Sequence, residues 1–138
     1  MSEFKFVSND DAPKSEDHYL SGDPVRILFI RPPAQYPSLD WPDGPRIGLP
    51  LGILYLSGLF NSKMGIETEV LDAIIPTNLD DLKRQKPPFY CGIQIHEIVE
   101  RARAFKPTIV AVSANFSYFL GNAVSTINAI REAMPEVF

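Results

Sequence analysis

Ser113-Ala114-Asn115-Phe116-Ser117 sets two hydroxyls and an amide among small residues, directly after an apolar run. Small residues let a backbone approach a ligand, and hydroxyl and amide groups both donate and accept hydrogen bonds. A second candidate group follows the first apolar run and comprises Gln35, Tyr36, Trp41 and Arg46. Aromatic rings can pack on a flat amphipathic ligand whose polar edges the Gln and Arg would bind. The same Tyr36 and Trp41 could instead cover the ends of a sheet. Gly48-Leu49-Pro50 precedes a helix start, where unpaired amides and the helix field favour polar or anionic ligand groups. Ordinary helix initiation accounts for these residues equally well.

Other reactive side chains read as bland. His18 and His96 have no second ligand at metal-binding spacing, so structural or solvated roles are expected and no metal site is assigned. The single cysteine, Cys91, excludes an internal disulfide and any Cys-only zinc or iron–sulfur site, and without a basic neighbour it reads as an ordinary thiol. Asp72 ends an alternating run, yet no G-x-G-x-x-G follows the first strand, so it is expected to cap or orient a loop and not to hold a ribose. No Ser–His–Asp order, nucleophile elbow, phosphate loop or catalytic carboxylate pair is present, and no catalytic residue is assigned.

The elements that must position these groups follow from patterning. Residues 25–30 (VRILFI) form a short, almost continuous apolar run, as in a central strand covered on both faces. The Pro-rich stretch 32–50 is expected to be irregular, since each proline removes a donor and biases its predecessor towards extended geometry. Residues 51–65 read as a helix that buries most of its surface and stops at Lys63 and Gly65. Residues 66–71 alternate as a second strand, and residues 79–84 allow a helical turn or two within a further irregular stretch. Ile95, Ile98, Val99, Ala102 and Phe105 carry the helical period up to Pro107. Residues 108–113 are a third apolar strand. Ala123, Ile127, Ile130 and Met134 then stripe a last helix that stops at Pro135.

Strand and helix thus alternate three times with crossovers long enough for parallel pairing. The expected fold is α/β and Rossmann-like: a parallel sheet in flavodoxin-like order with flanking helices, of which the first three βα units are present. In that order the reversal falls between the first and third strands, and a ligand sits above their carboxyl ends. Residues 1–24 are polar and charged and are expected to be a flexible tail, leaving 25–138 as one domain incomplete at its C-terminus. Glu136-Val137-Phe138 reads as the approach to a fourth strand, so a fragment, or a sheet completed by a partner, is expected. Without one, the third strand would be an open apolar edge and a route to homo-oligomers.

Among 138 residues, a formal charge of −4 argues against nucleic acid and anionic membranes as partners. With no long apolar run and no leader-like start, a soluble protein in a reducing cytoplasm is expected.

Taken together, RILFIRPP (26–33), RIGLPLGILYLSGLF (46–60), TEVLDA (68–73), YCGIQIHEI (90–98) and KPTIVAVSANFS (106–117) resemble the N-terminal cobalamin-binding domain of B12-dependent radical SAM enzymes. That group includes methyltransferases and the anaerobic Mg-protoporphyrin ester cyclase. The resemblance runs from about Val25 to the end. It implies a metal-binding role through cobalamin's cobalt, held against a radical SAM barrel on the same chain or a separate subunit. S-adenosylmethionine and the [4Fe-4S] cluster would belong to that barrel, since no C-x3-C-x2-C occurs here. The loop after the first strand has no histidine, so cobalt would lack a lower His ligand. The cofactor-facing set comprises Pro33, Gln35, Tyr36, Trp41, Gly48, Leu49, Pro50 and Ser113 to Ser117, with Ala114, Asn115 and Phe116 between. Such a module would not be catalytic alone. Two alternatives remain: a degenerate α/β domain acting as an interaction subunit without cofactor, and a flavodoxin-type flavin or nucleotide binder.

Overall fold

The computed structural model of the chain describes residues 24–40, 45, 48–75, 78–115 and 117–138, without the side chains of 117–119. The run expected to be a central strand is β1 (Arg26–Arg31), in which Ile27, Leu28, Phe29 and Ile30 are all buried. After the short β2 (Ala34–Tyr36) come α1 (Leu51–Met64) and β3 (Glu67–Asp72). Then follow α2 (Leu79–Arg84), β4 (Phe89–Cys91), α3 (Ile95–Phe105), β5 (Ile109–Val112) and α4 (Ser117–Ala133).

The larger sheet has the order β3-β1-β5. β1 pairs in parallel with β3, Phe29 opposite Val70, and in parallel with β5, Phe29 opposite Ala111. The protein is therefore a mixed α/β structure with a three-stranded parallel sheet flanked by helices. Alternating side chains of β1 supply two cores. Leu28 and Ile30 pack with Ile98, Val99, Ala102 and Phe105 of α3, with Ile130 of α4 and with Met134 just after it. Ile27 and Phe29 point the other way, against Ile53 and Phe60 of α1.

Local chemistry sets the helix ends. At α3, Gln94 accepts the amide of the third helical residue while Glu97 Oε2 accepts the Gln94 amide at 2.8 Å, a reciprocal cap that satisfies two orphan donors. Gly65 ends α1 in the left-handed region at φ 64°, a conformation glycine adopts without a Cβ penalty.

Three expectations need correction. The stretch from Pro32 to Pro50 is not wholly irregular, because Ala34–Tyr36 pairs antiparallel with Phe89–Cys91, Gln35 opposite Tyr90. This clip closes a third cluster of Ala34, Tyr36, Ile74, Leu82 and Cys91. Second, α1 does not bury most of its surface: only Ile53 is fully buried, and Leu51, Leu54, Tyr55, Leu56 and Leu59 are exposed. One helix covers that side of the sheet and nothing described covers the helix. Third, the buried stripe of α4 is Ala123, Thr126 and Ile130, while Ile127 is exposed. Among the described residues no helix is long and apolar enough to cross a membrane.

Candidate functional site

Above the carboxyl ends of β1 and β5 the structure has a cavity of about 160 Å³, lined by Arg31, Leu49 to Ile53, Ser113 and Asn115. Its position follows from the sheet order: the chain leaves β1 and β5 side by side, and the crossover to β3 brings the start of α1 over the gap between them.

Arg31, the last residue of β1, forms the polar back of the cavity. Its Nη1 donates to the Gly48 carbonyl and, at 3.2 Å, to Asp72 Oδ2 at the end of β3. The two side chains are 13% and 6% exposed, so the pair is largely withdrawn from water. Asp72 Oδ1 also accepts the Ile74 amide at 3.0 Å, so this carboxylate does orient the loop that follows it. One relay thus ties the ends of β1 and β3 to the segment leading into α1. On the other wall, the Ser113 amide donates to the Ile30 carbonyl at 2.8 Å, which extends the β1–β5 ladder and anchors Ser113.

The start of α1 completes the cavity. Pro50 occupies the N-cap position, no side chain caps the first amides, and the first turn carries no acidic residue. The Leu51 amide donates to the Leu49 carbonyl at 2.9 Å, so the amides that follow it in the first turn, beside the positive Arg31 guanidinium, give the cavity mouth a character suited to amide, carboxylate or phosphate oxygens. Leu49 and Leu51 stand beside it, about 70% exposed, as an apolar rim. Among the described lining residues the only titratable side chain is that of Arg31. The arrangement can hold a polar ligand group but supplies no acid–base pair.

Of the residues singled out in the sequence, Leu49, Pro50, Ser113 and Asn115 meet at this cavity, and Gly48 borders it through its carbonyl. Ala114 is exposed between Ser113 and Asn115. Pro33, Gln35 and Tyr36 lie outside the lining. Pro33 is buried against Gly92, Gln35 is exposed on β2, and Tyr36 is buried with Ile74, Leu82 and Cys91 at the β2–β4 clip. Trp41, Arg46 and Phe116 lie outside the described residues, as does the side chain of Ser117, which opens α4. His96 is exposed on α3 and lines no cavity described here, and Cys91 is buried. Among the described residues no group of three or more His, Cys, Asp or Glu could hold a metal ion.

Sequence reasoning missed Arg31, Leu51, Gly52 and Ile53. A signal existed for Arg31: a cation closes the first apolar run, as an aspartate, Asp72, closes the alternating run 41 residues later. No family model matches the chain, and no curated protein or solved structure matches it.

Proposed function

We propose that this chain is a cofactor-binding module of the cobalamin-binding kind that accompanies a radical SAM barrel, with its ligand crevice at the carboxyl ends of β1 and β5. The observation that carries the reading is the meeting of Leu49 and Pro50 with Ser113 and Asn115 around one cavity. Supporting it is the strand order β3-β1-β5, equivalent to 2-1-3 of a flavodoxin-like sheet, whose switch point lies where this cavity lies.

The donor set fits one edge of cobalamin. Ser113 and Asn115 offer a hydroxyl and an amide to its amide side arms, and Leu49 and Pro50 offer an apolar shelf to the macrocycle. The cavity, about 160 Å³, is below the roughly 300–1,000 Å³ usual for a wholly enclosed ligand. Most of the cofactor would stand above the crevice, against a second domain or subunit. When bound, cobalamin supplies a cobalt centre able to carry a methyl group; this chain's residues bind, orient and shield.

Titration with hydroxocobalamin, followed by the visible spectrum and by calorimetry, tests the reading. Saturable binding is expected, weakened about fivefold by Ser113→Ala or Asn115→Ala if each contributes one net hydrogen bond of about 1 kcal/mol. No binding at roughly 1 mM cofactor, where even about −4 kcal/mol would register, removes it.

A second reading is an interaction subunit that pairs with another chain along the part of the β5 edge that its own Phe138 leaves open. Phe138 donates to the Thr108 carbonyl at 3.1 Å and accepts the Val110 amide at 2.9 Å, the hydrogen-bond pattern of a parallel neighbour opposite Ile109. By the two-residue period of a strand, the Val112 amide faces the same outer side of β5. Association abolished by Val112→Pro in a chain that still folds would locate the partner at that edge.

A further inference from the structure

We infer that the outward face of α1 is a contact surface for a second copy of this chain. The helix LGILYLSGLFNSKM is apolar on every side, and its only charged residue is Lys63. A helix of that composition is normally buried all round. Here the sheet takes only the side bearing Ile53 and Phe60. Tyr55 is 73% exposed, and Leu51, Leu54, Leu56 and Leu59 add to one continuous strip.

The strip has a shape that fits itself. Leu51, Tyr55 and Leu59 lie four residues apart and form a ridge along the helix. On its two sides run the rows Gly52–Leu56 and Leu54–Gly58–Ser62, and a methyl group placed on Gly52 or Gly58 would meet nothing within 4 Å. Each copy therefore carries a ridge and adjoining notches of the kind that interlock when two such helices cross. Because the strip is almost uncharged, apposing it with itself brings no like charges together. Its five large side chains expose on the order of 500 Å², which doubled comes to the roughly 1,000 Å² that a specific interface must reach. A membrane is disfavoured as occupant: interfacial helices flank their apolar face with several Lys or Arg, and this helix has one.

Sedimentation equilibrium on the full chain over about 1 to 100 µM tests the assignment, since an interface of this size supports roughly micromolar dimers. The expected result is a reversible dimer whose dissociation constant rises at least tenfold in Tyr55→Lys and in Leu59→Glu, with unchanged circular dichroism. Gly58→Leu separates fit from stickiness: filling the notch should weaken the dimer even though it adds apolar surface. A monomer throughout the range overturns the inference, as does a dimer indifferent to Tyr55→Lys. Association lost in Val112→Pro but kept in Tyr55→Lys also overturns it, in favour of the β5 edge. Binding of the wild-type chain to phosphatidylcholine vesicles, abolished by Tyr55→Lys, overturns it in favour of a lipid surface.

Discussion

Replacing Asp72 by alanine tests whether the relay behind the cavity is a structural tie. The substitution removes the acceptor of an Arg31 hydrogen bond at 3.2 Å and of the Ile74 amide at 3.0 Å, both in surroundings that admit little water. Breaking a buried ion pair from one side costs about 3–5 kcal/mol, because the remaining charge stays desolvated. Arg31 keeps the Gly48 carbonyl and 13% exposure, which places the loss near the lower end, about 3 kcal/mol. For a domain of this length that is a fall in Tm of about 12 °C. Urea denaturation followed by circular dichroism measures it, and an unchanged slope with denaturant would show that the unfolded state is not responsible. The double variant Arg31→Met with Asp72→Leu removes both charges together and should recover at least half of the loss. A loss below about 1 kcal/mol for Asp72→Ala, or a double variant as unstable as the single, would refute the view that this buried pair is a structural tie.

Two further outcomes follow from the same structure. Gly92 has φ 132°, and a Cβ there would lie 2.7 Å from the Pro33 Cβ and 2.8 Å from the Ala73 carbonyl oxygen, so Gly92→Ala should destabilise by at least about 2 kcal/mol in the same urea assay. Gly65→Ala, strained in φ but facing open space, should cost about half as much. The Tyr90 hydroxyl donates to the Ile93 carbonyl at 2.8 Å, and burial, reinforced by the nearby Glu97 carboxylate, raises its pKa above the ordinary 10.0. Because the folded state holds that proton more tightly than the unfolded one, its contribution is complete below pH 10 and is lost as the pH rises through the folded value. Stability measured from neutral pH upward should therefore fall less steeply beyond pH 10 in Tyr90→Phe than in the wild type.

The architecture was legible where one period dominates. Ile95–Phe105 follows the spacing of its apolar residues, β1 and β5 follow short runs that are apolar on both faces because helices flank both, and β3 follows an alternating run at the edge of the sheet. The β2–β4 clip was not legible. Three residues are too few to establish a period, and their pairing depends on Gly92 bringing β4 close to Pro33, a contact between distant parts of the chain. For α1 the composition announced burial, and the error lay in assuming that this chain's described elements supply it. At the cavity, the segments before α1 and after β5 were legible because strand ends converge at a switch point. Arg31 was not, because a cation at a strand end reads as solvated until Asp72 is seen beside it.

The central strand also constrains how the chain can be made. β1 finds its first neighbour 41 residues later, where Phe29 meets Val70, and its second after a further 41, at Ala111. At about 10 residues per second on a ribosome, Ile27 to Ile30 wait roughly 4 s for one flank and 8 s for the other. Over that interval a fully apolar segment with both edges bare is a binding site for holding chaperones and a hazard for pairing between nascent neighbours. Translation speed through residues 32–112 should therefore influence the soluble yield of this protein more than the thermodynamic stability of its finished sheet does.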